Sequence, residues 1–213
     1  MEKKKLLLHS CCGPCSTAVI ERLSGDGGYS ISVFYYNPNI TDEAEYLHRK
    51  SEQIRYLEEL KKQGSDVEFI DADYDPERFL EAVKGLEEEP EGGARCSVCF
   101  EMRLRKTAEY AKAHGFDCFD TTLTVSPYKN YDVISAIGGK IAEERGIEYI
   151  SGNYKKQDGY RRSVELSNRY GLYRQHFCGC EFSGAQAERQ RAARQTSAGA
   201  GRQAEAAGKK ADQ

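Results

Sequence analysis

Cysteine is the residue type in this chain best suited to chemistry, because thiolates bind soft metals and carry out redox reactions. Of the eight cysteines, seven fall into three short motifs. These motifs are Cys-Cys-Gly-Pro-Cys at residues 11–15, Cys-Ser-Val-Cys at 96–99 and Cys-Gly-Cys at 178–180. The eighth, Cys118, lies inside a predicted strand and is interpreted as a buried, inert thiol.

The first motif lies between a predicted strand and a predicted helix. Gly13 permits a tight turn and Pro14 suits a first helical turn, so the nearby thiols should face the positive end of the helix dipole. We expect this position to lower the pKa of Cys11, Cys12 and Cys15, because it favours the thiolate. Taken alone, Cys-Gly-Pro-Cys also matches a thioredoxin-like redox pair, but the additional cysteines weaken that interpretation.

The other two motifs each bring two thiols close together. Cys96 and Cys99 are three residues apart at the start of a predicted helix, which puts both on one face of its first turn. With the first motif they supply four or five sulfur ligands, enough for tetrahedral zinc or a [4Fe–4S] cluster. Cys178 and Cys180, joined by Gly179, suit either a reversible disulfide that relays two electrons or a second metal site.

Five segments rich in β-forming residues predict strands, at 5–10, 29–36, 67–71, 118–125 and 147–150. Helical patterns separate them, at 14–23, 41–63, 76–86, 97–114 and 132–145. This alternation predicts an α/β fold with an open, mainly parallel sheet and helices on both faces. Two successive helices between the third and fourth strands form a helical insertion that delivers the second cysteine motif. In such folds ligands bind beyond the carboxyl ends of the strands, where the strand order reverses.

Composition places the chain among ordinary globular proteins. It has 213 residues, of which 39% are hydrophobic and 31% charged, which excludes collagen-like and wholly disordered classes. We expect no membrane span, because no apolar run approaches about 18 residues, and we expect a cytoplasmic location, where thiols stay reduced. Residues 1–183 are predicted to form a single cysteine-rich catalytic domain. Residues 184–213 lack large apolar side chains and are predicted to be a disordered, low-complexity tail.

Five motifs in order resemble epoxyqueuosine reductases of the QueH family, over residues 5–183. In one-letter code they are HSCCGPC, YYNPNI, RCSVCFEMRL, TTLTVSPYKN, and RRSVELS followed by LYRQHFCGC. The resemblance implies an oxidoreductase of tRNA processing, which reduces the epoxide on the modified wobble base to the cyclopentene in the last step of queuosine biosynthesis. It also implies a [4Fe–4S] cluster, no cobalamin, a fold similar to the ATP-pyrophosphatases (HUP-like), a tRNA partner and an unidentified electron donor.

The resemblance also implies roles for individual residues. The implied cluster ligands are Cys11, Cys12, Cys96 and Cys99. The implied catalytic, redox-active pair is Cys178 and Cys180. Two further metal-ligand candidates are Cys15, which could replace one of the four, and Asp158, which could complete an additional mononuclear iron site. Asp158 is equally open to interpretation as a solvated loop aspartate.

Charge is distributed unevenly along the chain. Residues 41–92 hold 17 acidic and 7 basic side chains, whereas residues 150–182 hold 3 acidic and 6 basic ones. Basic side chains alternating with tyrosines are typical of surfaces that bind single-stranded RNA, although a solvated amphipathic helix has the same pattern. The predicted RNA-binding residues are Lys155, Lys156, Arg161 and Arg162.

Two other functions compete with a reductase. An iron–sulfur tRNA thiolase would need a Ser-Gly-Gly-x-Asp-Ser phosphate loop after the first strand, where this chain has the cysteine motif instead. A non-catalytic zinc-binding adaptor would use the cysteines only as structural ligands. A reductase also needs a proton donor, for which His9, Tyr35, Tyr36 and Tyr128 are candidates near the predicted strand ends.

Overall fold

The structure is a computed structural model that describes residues 3–186 and residue 188. Its strands are β1 (Lys4–His9), β2 (Tyr29–Tyr35), β3 (Val67–Asp71), β4 (Cys118–Thr121) and β5 (Glu148–Tyr149). Its helices are α1 (Gly13–Gly25), α2 (Glu43–Lys62), α3 (Pro76–Ala82), α4 (Ala94–Ala113), α5 (Tyr131–Arg145) and α6 (Gly159–Arg169). A 3₁₀ helix at Thr122–Val125 follows β4, and residues 181–186 are also helical.

The strands form one sheet in the order β3-β2-β1-β4-β5, and every pairing is parallel. This confirms the predicted open parallel sheet. The chain moves outward from β1 through β2 to β3, and then returns to the other side of β1 for β4 and β5. The strand order therefore reverses between β1 and β4, and the loops after these two strands are where a ligand site is expected.

Successive side chains of β1 point to opposite faces of the sheet, and the side chains on both faces are buried. Leu6 and Leu8 pack in one apolar cluster with residues of α1 and α2, whereas Leu7 packs in a second cluster with residues of α4 and α5. All three leucines are fully buried. Helices therefore cover both faces, as predicted, and β1 lies at the centre of the molecule.

The fourth strand is shorter than predicted, because threonine side chains form hydrogen bonds with the backbone at and after Thr121. The hydroxyl oxygen of Thr121 accepts a hydrogen bond from the Leu123 amide at 3.2 Å, which starts the 3₁₀ turn. Thr124 donates its hydroxyl proton to the Gly152 carbonyl at 2.6 Å. The chain thus turns at the rim of the sheet, so that Thr122 lies beside the first cysteine motif.

Helix boundaries follow the expected capping residues. The side chain of Asp42 accepts a hydrogen bond from the Glu45 amide at 2.7 Å and caps α2, and Pro76 begins α3. Gly146 adopts a φ of 61° after α5, a conformation that glycine tolerates best. Both helices of the predicted insertion, α3 and α4, are present between β3 and β4.

The polar, basic stretch at residues 153–175 contains the amphipathic helix α6. It packs closely along α1, and Ser163 and Leu166 are among its buried residues. Residues 184–186 continue the helix that starts at 181, because Gly184 donates to the Cys180 carbonyl at 3.0 Å. Most of the predicted tail lies outside the described residues. Across the part of the chain that the structure describes, no helix combines the length and apolarity that a membrane span requires.

Candidate metal centre and active-site cleft

The first cysteine motif forms a compact group of thiols at the carboxyl end of β1. The Sγ atoms of Cys11, Cys12 and Cys15 all lie within 4.8 Å of one another, and the Sγ atoms of Cys11 and Cys12 are 3.8 Å apart. Thr122 Oγ1, from the loop after β4, lies 3.9 Å from Cys11 Sγ. The group therefore lies at the point where the strand order reverses.

Hydrogen bonds within this group give the three thiols different pKa values. The pKa of Cys11 is well below its usual value, because the thiols of Cys12 and Cys15 donate to it and together outweigh burial. For the same reason, the pKa of Cys12 rises to about 12 and that of Cys15 lies well above its usual value. The expected fall in pKa holds for Cys11 alone, since the other two thiols are donors to it and burial disfavours their charged forms.

A second group of thiols lines an adjoining pocket. Cys96 and Cys99 from α4 share this pocket with Cys178 and Cys180 from the chain after α6. Burial raises the pKa of Cys96, and it raises the pKa of Cys99 to about 12. The structure thus brings the second and third motifs together, and Cys178 also lines the larger cleft described below, which contains Cys11 and Cys15.

Arg103 connects the two groups of thiols. Its side chain is 1% exposed, and Nη1 lies 3.8 Å from Cys99 Sγ. Its Nη2 donates to the Asn37 side-chain oxygen at 2.7 Å, and its Nε donates to His9 Nε2 at 3.2 Å. The positive charge of Arg103 adds to the hydrogen bonds that lower the pKa of Cys11, and it opposes the larger effect of burial, which raises the pKa of Cys99. Arg103 is therefore a buried cation that favours the thiolate form on both sides.

A second buried arginine, Arg49, holds the Cys-Gly-Cys segment in place. Its Nη1 donates to the carbonyl of Cys178 at 3.0 Å and its Nη2 donates to the carbonyl of Phe177 at 3.3 Å. Its Nε donates to Glu45 at 2.7 Å, and Arg49 is 1% exposed. Gly179 has a φ of 116°, and a Cβ there would lie 2.9 Å from Ile40 and 3.1 Å from Arg49. Only glycine suits this position.

An open cleft of about 660 Å³ leads to the thiols from the surface. Its polar and basic lining includes Arg103, Lys129, Arg174, Gln175 and His176. The pKa of the Lys129 ammonium is raised, because the charged forms of the neighbouring thiols Cys178, Cys11 and Cys15 outweigh the effect of burial. Gln175 donates from Nε2 to Cys12 Sγ at 2.9 Å. The cleft is thus positively charged around sulfur atoms.

Asp158 does not lie with the thiols. It is exposed, it precedes α6 and its carboxylate pairs with Arg161 at 3.0 Å. It lines neither the thiol pocket nor the cleft. This geometry matches the solvated loop aspartate, and residues 157 and 158 both adopt left-handed φ values immediately before α6.

The predicted RNA-binding residues are mostly engaged within the chain. Arg162 pairs with Glu21 at 2.7 Å and with Glu165 at 3.2 Å, and Lys155 donates to the carbonyl of Lys129 at 2.7 Å. Arg161 is exposed but pairs with Asp158 and Glu165. The Lys156 ammonium has no hydrogen-bond or ion-pair partner among the described residues, although the Lys156 carbonyl accepts a hydrogen bond from Arg22 at 2.8 Å. Their role in binding RNA stays a prediction.

The candidate proton donors near β1 and β2 are internal. Burial, followed by the charge of Arg103, lowers the pKa of His9 to about 3, so its ring is neutral at physiological pH. Tyr35 donates to the Tyr46 carbonyl and Tyr36 to Asp75, and burial raises the pKa of both. Tyr128, in contrast, lines the cleft.

Sequence reasoning missed several residues that shape the site. They are Asn39, Arg49, Arg103, Lys129 and Gln175. The side-chain oxygen of Asn39 is buried in the thiol pocket with no partner among the described residues. Asn39, Arg103, Lys129 and Gln175 lie within the sequence motifs, and that position was their only signal. Arg49 lies on α2 outside every motif and gave no signal, because charge and polarity alone do not distinguish a buried arginine from a surface one.

The residues fit a metal that prefers sulfur. Three thiols within reach of one ion, one of them poised to ionise, match the soft ligands that zinc and iron–sulfur clusters select. Two further thiols, Cys96 and Cys99, lie with Cys178 in the adjoining pocket. The group formed by Cys11, Cys12 and Cys15 could therefore hold a metal.

Comparisons with known proteins agree with this site. The family model described as Epoxyqueuosine reductase QueH matches residues 6–186. Proteins named Epoxyqueuosine reductase QueH from Staphylococcus epidermidis and Haemophilus influenzae are 42% and 44% identical to this chain. The alignments cover 85% and 84% of this chain, and 77% and 71% of the relatives.

Among solved structures, a predicted subunit of tRNA methyltransferase from Methanocaldococcus jannaschii is similar, with a TM-score of 0.47 and 15% identity. The match covers 78% of this chain and 74% of that one. The family match spans nearly all of the described residues, including every cysteine of the two thiol groups. This chain belongs to the epoxyqueuosine reductase QueH family.

Proposed function

We propose that this chain reduces the epoxide of epoxyqueuosine, at the wobble position of tRNA, to the cyclopentene of queuosine. The observation that carries the proposal is the convergence of two groups of thiols beside one open, positively charged cleft in a member of this family. A two-electron deoxygenation needs electrons, protons and access for a bulky substrate. The cleft offers access, and the thiols offer the electrons.

The reaction balances if Cys178 and Cys180 act as the redox-active pair. The epoxide loses its oxygen as water when it receives two electrons and two protons. Oxidation of two thiols to one disulfide releases two electrons and two protons, so epoxide plus dithiol gives alkene, water and disulfide. An external one-electron or dithiol reductant then restores the dithiol. Cys178 lines the cleft, whereas Cys180 lies deeper in the thiol pocket.

We propose that Cys11, Cys12, Cys96 and Cys99 hold a [4Fe–4S] cluster, with Cys15 as the alternative ligand to one of them. The Sγ atom of Cys15 lies within 4.8 Å of those of Cys11 and Cys12, which supports Cys15 as a ligand. Cys96 and Cys99 line the adjoining pocket, which supports the set that includes them. When bound, such a cluster supplies single electrons, and an iron with an open position supplies a Lewis acid for oxygen. Neither function requires cobalamin.

The cations of the site have two tasks. Arg103 lies between the two thiol groups, where its charge stabilises thiolates against burial. Lys129 lies at the cleft with its ammonium among Cys178, Cys11 and Cys15, and its raised pKa keeps it protonated. As a cation that keeps its proton, it is suited to stabilise negative charge that develops on a departing oxygen. His9 has no such role, because it is neutral and bonded inside the core.

The direct test is conversion of the substrate. Protein purified without oxygen is incubated with tRNA that carries epoxyqueuosine, with a strong reductant and without cobalamin, and the nucleosides are analysed by mass spectrometry. We expect queuosine to accumulate with more than one turnover per enzyme. No conversion by protein with its full content of iron and sulfide would refute the proposal.

The bound metal separates the proposal from its rivals. We expect brown protein with about four iron and four sulfide per chain, as a [4Fe–4S] cluster requires. Colourless protein that contains zinc and no sulfide would favour a structural adaptor. Replacement of Cys178 or Cys180 by Ser should retain the iron absorbance and impair turnover, with Cys118→Ala as the matched control. Loss of iron in those two variants would make the residues ligands instead of a redox pair.

A further inference from the structure

Two exposed tyrosines stand at the entrance of the cleft. Among the residues that the structure describes, only three large hydrophobic side chains are exposed, namely Leu47 at 52%, Tyr128 at 76% and Tyr160 at 38%. Tyr128 and Tyr160 both line the cleft that reaches Cys11, Cys15 and Cys178, whereas Leu47 lies elsewhere on α2. Exposed aromatic rings that concentrate at one opening indicate a binding surface.

The structure separates Tyr160 from the other tyrosines of the basic segment. Tyr154 is 4% exposed and donates to Asp120 at 2.6 Å, so its ring belongs to the core. Tyr170 packs edge-on against Tyr56, and the ring of Tyr173 stacks on His48 with its hydroxyl bonded to Glu45. Tyr160, on the first turn of α6, therefore stands apart as the ring exposed at the cleft.

Positive charge surrounds the two rings. The Arg174 guanidinium lies 6.0 Å from the centre of the Tyr160 ring, and its Nη1 donates to Ser167 at 3.2 Å. Arg103, Lys129 and Arg174 line the cleft, with Glu91 as the acidic member of its lining. A tyrosine paired with an arginine offers a flat face to a base and a charge to a phosphate, which are the two needs of a single-stranded RNA loop.

We propose that Tyr128 and the Tyr160–Arg174 pair form a base-stacking clamp that holds nucleotides of an anticodon loop at the cleft. This inference rests on the proposed function for its ligand, and it assigns RNA binding to residues other than the four basic ones predicted from sequence. Those four are largely engaged in internal pairs, whereas the clamp residues face the opening. The clamp would present the wobble base to the thiols while neighbouring bases stack on the rings.

The experiment uses iron-loaded holoenzyme and a fluorescently labelled, unmodified anticodon stem-loop RNA. Dissociation constants are measured by anisotropy for Tyr128→Ala, Tyr160→Ala and the matched control Leu47→Ala. Each tyrosine variant should weaken binding roughly five-fold to a hundred-fold, which is the loss of one stacked base, and the Leu47 variant should bind like the wild type. The Phe variants should recover most of the lost affinity, because they restore the ring.

Salt dependence distinguishes rings from charges. The slope of log Kd against log salt should be unchanged in Tyr160→Ala, since a ring releases no counterions. In Arg174→Gln that slope should fall by about 0.7, the value for one phosphate contact on a single strand. In turnover with substrate tRNA, the tyrosine variants should raise KM with little change in kcat, as expected of groups that bind without reacting.

The outcomes separate this inference from the reductase proposal. If the wild type reduces epoxyqueuosine but both alanine variants bind RNA normally, the clamp is wrong and the reductase stands. If the alanine variants lose RNA affinity while no enzyme reduces the epoxide, the clamp stands and the reductase is wrong. If RNA affinity is unchanged and reduction by a protein electron donor slows, the cleft mouth is a docking site for that protein, and the clamp is overturned.

Discussion

The first group of thiols and the Cys-Gly-Cys segment at residues 178–180 are positioned by different physical means. Cys11, Cys12 and Cys15 follow a central strand and enter α1, so hydrogen bonds of the sheet and helix place their backbone. Cys178 and Cys180 lie in a segment without β-structure, and Arg49 holds its carbonyls from α2, 129 residues away in sequence from Cys178. The thiols of the first group are close together in sequence, whereas the Cys-Gly-Cys segment depends on a side chain from a distant element.

This difference suggests a division of tasks. A group built into a sheet rim and a helix start is rigid, which suits a permanent metal site. The Cys-Gly-Cys segment is held by two hydrogen bonds from Arg49 and by the conformation of Gly179, so small changes can displace it. Such a segment suits a pair of thiols that must change its oxidation state. If this comparison is correct, mutations in the first group should remove the metal, whereas mutations around the segment of Cys178 and Cys180 should alter turnover with the metal retained.

The largest effect is expected from Cys11→Ser. This change removes the most acidic thiol of the sheet-rim group, so we expect nearly complete loss of bound iron and a loss of turnover beyond about a hundred-fold, more than outer-shell residues typically cause. Iron and sulfide assays and visible absorbance check it. The control is Cys118→Ala, which removes a buried thiol of β4 outside both groups. Full iron in Cys11→Ser would show that this group is not the metal site.

A smaller effect is expected from Arg49→Lys. Lysine keeps the charge but cannot donate to the carbonyls of Phe177 and Cys178 together, so we expect turnover to fall roughly 10- to 100-fold with the iron content unchanged. Arg55→Lys is the matched control, because Arg55 forks onto the carbonyls of Tyr170 and Gly171 without approaching a thiol. It should change turnover by less than about two-fold. Equal losses in both variants would indicate general destabilisation.

Gly179→Ala tests the same segment through its backbone. At a φ of 116° a Cβ is strained and would crowd Ile40 and Arg49, so we expect about 2 kcal/mol or more of destabilisation by chemical denaturation. Gly171→Ala is the control, since Gly171 has a φ of 58° and open space around its Cβ position. It should cost about 1 kcal/mol from backbone strain alone. Similar costs in the two variants would show that the contacts with Ile40 and Arg49 are unimportant.

The smallest effect concerns Asp120, near the end of β4. Burial raises its pKa to about 7, against hydrogen bonds from Tyr154, Thr121 and Gly152. The folded state thus binds this proton more tightly than the unfolded state, so its contribution to stability is present near pH 4 and is lost as pH rises toward 7.

The Asp120→Asn variant has no such titration. Relative to the wild type, it should therefore gain about 1 kcal/mol in unfolding free energy for each pH unit between pH 5 and 7. Urea unfolding at several pH values measures this difference. A constant difference across that range would show that Asp120 stays charged in the fold.

Much of the fold followed from local patterns in the sequence. Alternating apolar residues, capping residues such as Asp42 and glycines such as Gly146 predicted five strands and the helices between them, because each signal acts over a few residues. The fourth strand was predicted too long, since β-forming threonines after Thr121 bond to the backbone and start a turn. The region of α6 was left open between an RNA-binding surface and an amphipathic helix, because basic side chains interleaved with tyrosines fit both.

The candidate site was predictable in its residue types and its location. Three cysteine motifs, and the rule that ligands bind where strand order reverses, were sufficient to predict sulfur chemistry at the rim after β1. Which thiols share a pocket was decided by the packing of α4 and the carboxyl-terminal segment on the sheet. The same packing paired Asp158 with Arg161 and buried Arg49 and Arg103 among thiols and carbonyls. Sequence specifies local conformation through short-range sterics and hydrogen bonds, but burial and long-range electrostatics exist only once distant segments have met.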